Sequence, residues 1–357
     1  MKDLDFLKII KSAVKNFEEN AKTEIEFVSS SSYIFNAIIS GSIFGGMPRN
    51  RITALAGEEG TGKTFLAMSI VKSFLEKYEG SNVVWFDTER AVDETFFASR
   101  GIDSSRVFII RPQTLQIVKT QILQIIEGYK NQKDRKPMMM VLDSLGNLPT
   151  TKELEDSTEG KEVQDMTRAR QVRSIFRVIT EPLGEVNVPL LITNHTYEVI
   201  GEWVPTQTIS GGGGIKYAAS TIIYLKKSKD RDQKDKKVVN GIIVKAQADK
   251  SRFTKAYKPV EMRIDFTKGL DKYYGLFDLA EKHGVFEKLP SGSYMHPDFP
   301  ERKLSKMDFA REPEKFYTEE ILQKLDKAAI KEFKLGTDEV SSEEIIVEDD
   351  TDENVEV

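Results

Sequence analysis

The chain contains no cysteine, which excludes disulfide bonds, thiolate metal ligands and thiol nucleophiles and suits a reducing compartment. Histidine is scarce: there are three. One of them, His195, lies in PLLITNHTYEVIGEW, where an apolar run turns into the polar pair Asn194 and His195. No apolar run approaches the ~20 residues of a membrane span. The N-terminal MKDLDFLKIIKSAVKNF alternates charged with apolar residues, unlike a signal-peptide core. The expectation is a cytoplasmic protein with no membrane partner. Basic residues are missing from the last twenty positions, Asp338 to Val357, which hold ten Asp or Glu. The formal charge of −5 therefore misleads, because the preceding residues carry 52 basic against 47 acidic groups, a net +5. A like-charged run repels itself and stays unfolded, as an interaction arm or a solubilising tail.

What is present is a core. Of the 357 residues, 39% are apolar, enough for a globular body with appendages. Short runs rich in β-branched residues, RITALAG, NVVWFD, RVFIIRP, MMMVLD and PLLITN, read as buried strands. Helical periods separate them, as in FLAMSIVKSFLEKY and in TLQIVKTQILQIIEGY, where Leu115, Val118, Ile122 and Ile125 fall at three- and four-residue steps. Alternation of strand and helix predicts an α/β fold on a mainly parallel sheet. After Gly214 consecutive strands, STIIYLKK, GIIVKAQADK and VEMRIDF, predict an antiparallel extension. An amphipathic segment over roughly residues 2–20 and a serine run, Ser29 to Ser32, precede the core. Two helices of a small C-terminal domain, LFDLAEKHGVFEKL and FYTEEILQKLDKAAIKEF, follow it. The expected division is 1–35 as an oligomerisation segment, 36–270 as the core, 271–335 as the C-terminal domain and 336–357 as the acidic tail.

ALAGEEGTGKTFLAMSI matches G-x-x-x-x-G-K-[ST] between a strand and a helix, the context in which this pattern cradles a triphosphate. The loop Gly57, Glu58, Glu59, Gly60, Thr61, Gly62 offers successive backbone N–H groups, with Phe65 just inside the helix. Lys63 supplies a point charge to the outer phosphates and Thr64 an oxygen to Mg²⁺. In MMMVLDSLGN, Asp143 ends a strand and can hold Mg²⁺ through its water shell. Hydrolysis also requires a group that orients water. Glu89 in WFDTERAVD is the candidate general base, with Asp87 a local competitor that spacing does not eliminate.

The ordered set GEEGTGKT, FDTE, VLDSLGNL, MTRAR, LLITNHTYE, GGGG and KSR resembles the RecA-like recombinases, and most of all their phage UvsX type, over roughly residues 25–275. The resemblance implies a RecA-fold ATPase, using ATP and Mg²⁺, that forms a helical homo-oligomeric filament on single-stranded DNA and exchanges strands with a homologous duplex in recombination, repair and recombination-dependent replication. It also implies Glu89 as the catalytic glutamate, the general base, His195 as the residue that senses the nucleotide, and two DNA-facing loops. The first follows Asp143, in GNLPTTKELEDSTEGKEVQDM. The second, TYEVIGEWVPTQTISGGGG, holds Trp203 as a wedge between bases and Gly211, Gly212 and Gly213 as backbone donors to phosphates. Between the loops, MTRARQVRSIFRVI is expected to bury Met166, Ala169, Val172, Ile175 and Ile179 and to offer Arg170 and Arg173 to phosphates, with Arg177 on the same face. Lys250 and Arg252 in ADKSRF match the cations that complete a neighbour's ATP site. The further partners expected, with the acidic tail as the arm that meets them, are a loading factor or a single-strand-binding protein. A hexameric helicase on the same fold and a non-catalytic paralogue are the competing classes. The fifty or so residues before the P-loop are few for the first, and the complete set Lys63, Thr64, Glu89 and Asp143 weighs against the second.

Overall fold

The computed structural model describes residues 25–161, 167–198, 207–209, 214–232 and 235–337. Its centre is a sheet in the order β12-β11-β10-β9-β3-β7-β6-β4-β5. The parallel half comprises β3 (Ile52–Gly57), β4 (Asn82–Asp87), β5 (Val107–Ile110), β6 (Met138–Asp143), β7 (Leu190–Glu198) and β9 (Thr221–Arg231). β10 (Val239–Ser251), β11 (Pro259–Asp265) and β12 (Gly269–Leu270) extend it antiparallel, and β8 (Gln207–Ile209) pairs with the end of β7. The expected mainly parallel sheet with an antiparallel wing is the one observed.

β3 and β6 are buried on both faces because helices cover both sides, and their residues sort by parity. Leu55, Val83, Trp85, Met139, Val141 and Leu191 join one hydrophobic cluster, whereas Ala54, Ala56, Val84, Phe86, Met140 and Ile192 join the other. The first face is covered by α1 (Tyr33–Ser40) and α2 (Lys63–Lys77). A short α3 (Glu94–Ala98) follows β4. The second face is covered by α4 (Leu115–Lys130) and, beyond α5 (Thr151–Thr158), by α6 (Arg168–Glu185). On α4 the fourth buried position is Ile126 where Ile125 was expected, and on α6 Ala169 is exposed while Phe176 and Leu183 join Val172, Ile175 and Ile179. On α4 the advance of 100° per residue puts Ile126, one position on, at the centre of the core-facing stripe.

The serine run fixes the start of α1. Ser30 donates to Asn36 Oδ1 at 2.7 Å, Ser29 accepts from Asn36 Nδ2 at 3.1 Å, and Ser32 occupies the N-cap. The two-stranded pair of β1 (Phe27–Val28) and β2 (Met47–Pro48) brackets this unit.

The C-terminal region departs from expectation. A helix across LFDLAEKHGVFEKL is observed only as α8 (Leu276–Lys282), after α7 (Gly214–Ala218), because Gly284 adopts φ +65° and turns the chain away. A three-stranded sheet follows, β13 (Glu287–Lys288), β14 (Tyr294–His296) and β15 (Phe299–Leu304), then α9 (Lys306–Arg311), α10 (Pro313–Phe316) and α11 (Glu319–Phe333). These elements share one continuous hydrophobic cluster with α1 and α2. Asp326 on α11 accepts from the Ser42 hydroxyl at 2.6 Å and the Ile43 N–H at 2.9 Å. The amphipathic N-terminal segment through residue 20, Met166 and the acidic tail lie outside the described residues.

Glu332 on α11 is held by Lys282 at 2.7 Å, Lys258 at 3.2 Å and His283 at 3.2 Å. Burial opposes its charge, yet the lysine hydrogen bonds and charges outweigh that and pull its pKa to about 2. Its folded value lies below the ordinary 4.5, so its contribution is complete above that pH and disappears as pH falls toward 2. In Glu332→Gln, thermal unfolding between those limits is expected to lose about 1–3 kcal/mol of pH dependence. An unchanged acid limb would refute the ion cluster as its source.

Candidate active site

Parallel topology gathers the carboxyl ends of β3, β4, β6 and β7 along one edge, where an open α/β sheet binds its ligands. β3 runs into Gly57, and the turn through Gly60 (φ +71°) and Gly62 (φ +86°) admits no ordinary side chain. A Cβ on Gly57 would lie 2.6 Å from the Leu225 carbonyl, and one on Gly60 would lie 2.6 Å from Lys227 Nζ. The Thr61 hydroxyl turns inward onto the Glu58 carbonyl at 2.9 Å. α2 then starts at Lys63 with its free N–H groups facing the loop.

A cleft of about 910 Å³ opens here, lined among others by Glu59, Gly60, Gly62, Lys63, Thr64 and Phe65 from the loop, and by Glu89, Asp143 and His195. Lys63 Nζ donates to the Gly57 and Glu58 carbonyls at 2.8 Å each. Burial lowers its pKa, partly offset by Glu89, Asp143 and Glu59. Such a cation gains from an anion brought into the loop.

Thr64 donates to Asp143 Oδ2 at 2.9 Å, and Thr193 donates to Asp143 Oδ1. Asp143 is 3% exposed, and burial raises its pKa despite these hydroxyls, with Glu89 and Asp87 adding to the rise. A divalent cation between Thr64 and Asp143 would relieve that cost. No group of three or more His, Cys, Asp or Glu able to hold a metal occurs among the described residues. One carboxylate and one hydroxyl suit Mg²⁺, which keeps waters and takes further oxygens from phosphates.

The two acids that spacing left open have different environments. Asp87 is 2% exposed, caps the Ala91 N–H at 3.1 Å and pairs with Arg111 at 3.3 Å, which is structural duty. Glu89 faces the cleft, and its Oε1 accepts from Ser144 Oγ at 2.7 Å and from His195 Nε2 at 2.9 Å. A carboxylate can only accept, so the Nε2 of His195 carries the proton in this contact. Burial raises the Glu89 pKa, but the His195 and Ser144 bonds and the His195 and Lys63 charges prevail and hold it below the ordinary value. His195 pairs with Gly57 in the β3–β7 register, which brings it beside the P-loop.

The remaining residues proposed from sequence lie elsewhere. Arg170, Arg173 and Arg177 are exposed on α6, with Arg173 over the Tyr217 ring at 5.0 Å. Lys250 and Arg252 do not line the cleft of their own chain. A register shift between Ala248 and Lys250 turns the Lys250 ammonium onto the Lys216 and Tyr217 carbonyls, and Arg252 is exposed. Trp203, Gly211, Gly212 and Gly213 fall outside the described residues. The first loop, read as irregular, contains α5, opened by a capping box of Thr150 and Glu153. Three further residues reach the site without a sequence signal of their own: Ser144 and Thr193, each adjoining a motif residue, and Lys227, which donates to the Glu59 carbonyl at 2.6 Å.

A ligand cleft over a glycine-rich turn, with acids at adjacent strand tips, defines the P-loop class of nucleotide-binding α/β proteins. The model of the RecA N-terminal domain matches residues 6–271. The recombination and repair protein of Enterobacteria phage T4 is 30% identical over 262 residues, 73% of this chain and 65% of that protein, so the match spans just under two thirds of its length. Protein RecA of Thermus aquaticus is 26% identical over 326 residues, 90% of this chain and 92% of that one, and Protein RecA of Paracoccus denitrificans is 27% identical over 287, 79% and 75%. The chain belongs to the RecA family. Among the described residues, no helix is long and apolar enough to cross a membrane.

Proposed function

We propose that this protein is a DNA-dependent ATPase that polymerises as a helical filament on single-stranded DNA and pairs it with a homologous duplex, serving recombination, repair and recombination-dependent replication. The observation that carries the reading is the double hydrogen bond on Glu89 Oε1 from Ser144 and His195, which lie just ahead of the two candidate DNA-facing segments. In this reading Lys63 and the loop N–H groups hold the phosphates of ATP. Thr64 and Asp143 hold Mg²⁺, which when bound neutralises developing charge on the phosphates. Glu89 orients the attacking water and takes its proton. Arg170 and Arg173 bind backbone phosphates, so log affinity falls linearly with log salt. Lys250 and Arg252 complete the site of the adjacent subunit.

Electron microscopy on single-stranded DNA with a non-hydrolysed ATP analogue, paired with a strand-exchange assay, tests the reading. Continuous helical filaments with exchange are expected. Closed rings that unwind forks would instead establish a helicase, and neither assembly nor turnover a non-catalytic paralogue.

His195 ties Glu89 to the strand that leads into the glycine-rich segment. A ligand shifts a conformational equilibrium only by its differential affinity for the two states. His195→Ala is therefore expected to bind ATP normally and to lose the difference in DNA affinity between its ATP and ADP forms, read by fluorescence anisotropy of a labelled oligonucleotide. A normal nucleotide response in that variant would leave His195 a local structural partner of Glu89.

A further inference from the structure

Glu89 receives its second hydrogen bond from Ser144, which opens a turn whose next carbonyls are bound by one distant side chain. Ser144 is fully buried. Its N–H donates to Thr88 Oγ1 at 2.8 Å, its carbonyl accepts from the same hydroxyl at 2.8 Å, and its own hydroxyl reaches Glu89. The next residues leave the sheet with their carbonyls gathered around Arg168, in the first turn of α6. Arg168 Nη2 donates to the Gly146 carbonyl at 3.1 Å, with the Leu145 carbonyl at 3.5 Å, while Nη1 donates to the Leu148 carbonyl and to Glu153 Oε2 at 3.1 Å. Glu153 Oε2 also accepts the Thr150 N–H at 2.7 Å, closing the N-terminus of α5. Only a planar guanidinium presents enough donors in one fork to reach such a set.

We infer that Arg168 is a positioning residue for the Glu89 carboxylate: by gathering the carbonyls of Leu145, Gly146 and Leu148 it holds Ser144 against Glu89 and makes the geometry of the base depend on where α6 sits. Arg168 precedes Arg170 and Arg173 on the same helix. A displacement of α6 on DNA is thus transmitted through the turn after β6 to Ser144. Glu89 Oε1 then has two inputs, His195 from β7 and Ser144 from β6. α6 keeps its seat on the sheet without Arg168, through Val172, Ile175, Phe176 and Ile179, and the turn keeps Leu145 and Leu148 in the core. Loss of the guanidinium therefore frees an orientation and leaves the fold in place. The inference rests on Glu89 being the general base.

A double-mutant cycle on the full chain tests it, with steady-state ATP hydrolysis on a poly-dT oligonucleotide as the readout and nucleotide affinity without DNA as the control. Arg168→Ala is expected to lower kcat about tenfold with KM within about twofold, the pattern of an interaction that acts on the transition state alone. Arg168→Ala added to Ser144→Ala is expected to cost less than about threefold beyond Ser144→Ala alone, since residues acting through one contact are not additive. Arg168→Lys keeps the charge against Glu153 but supplies a point donor, and is expected to fall between wild type and Arg168→Ala. If Arg168→Ala fails to fold, the Lys variant carries the same cycle. Losses that multiply in the double variant, an unchanged kcat, or a rise confined to KM would overturn the inference. Glu89→Gln separates the two levels: full turnover in that variant would sink the reading of Glu89 itself, whereas an inactive Glu89→Gln with multiplicative losses sinks the Arg168 link alone.

Discussion

Glu89→Gln is expected to reduce DNA-stimulated ATP hydrolysis by about 10²- to 10⁴-fold, the usual contribution of a positioned general base. Its nucleotide affinity should stay close to that of the wild type. The amide keeps an oxygen that can accept from Ser144 and His195, so the local geometry survives, but it cannot take a proton from water. In the wild type burial raises the Glu89 pKa, but the His195 and Ser144 hydrogen bonds hold it below the ordinary carboxylate value. Asp87→Asn is the matched comparison. Its carboxylate is buried under the Ala91 N–H and Arg111, so the change should lower the melting temperature more than it lowers turnover per folded molecule. Wild-type hydrolysis in Glu89→Gln, or a larger kcat loss in a stably folded Asp87→Asn, would reverse the assignment.

The second large effect is expected at Lys250 and Arg252. Either residue changed to Ala should abolish DNA-stimulated turnover, by about 10³-fold or more if it acts as cations supplied in trans do, with nucleotide binding by the monomer spared. Neither side chain lines its own cleft, and the Lys250 ammonium rests on the carbonyls at the end of α7. Burial there, with Arg252 nearby, lowers its pKa, and an anionic phosphate from a neighbour would reverse that pressure. Mixing subunits provides the decisive measurement. Lys250→Ala subunits retain Glu89 and Glu89→Gln subunits retain Lys250, so a mixture of the two inactive proteins should recover part of the wild-type activity at the interfaces where intact partners meet. A mixture no more active than its components would mean that Lys250 acts within its own subunit.

The elements of the core were legible because their signals are local. A strand buried on both faces must be apolar throughout, so RITALAG, NVVWFD, MMMVLD and PLLITN read correctly without knowledge of their neighbours. The C-terminal region was less legible. LFDLAEKHGVFEKL has helical content, and a single glycine at position 284, together with pairing to a strand further on, outweighs propensity after Lys282. α5 was concealed in the same way, since a polar helix stabilised by a capping box and contacts from Arg168 and Gln116 shows no apolar stripe.

The sequence by itself determined the parallel α/β core, the phosphate loop and the row of acids at strand ends, because parallel strands deliver their carboxyl ends to one edge and glycine spacing dictates the turn. Only the tertiary structure showed how differently Asp87 and Glu89 are surrounded, gave His195 its partner, and joined Arg168 to the turn before α5. Those outcomes depend on side chains that meet across the fold, His195 with Glu89 at a separation of 106 residues and Ser144 with Glu89 at 55. A carboxylate acquires its role from the donors and charges packed around it, and strand order and register alone bring them within hydrogen-bond reach.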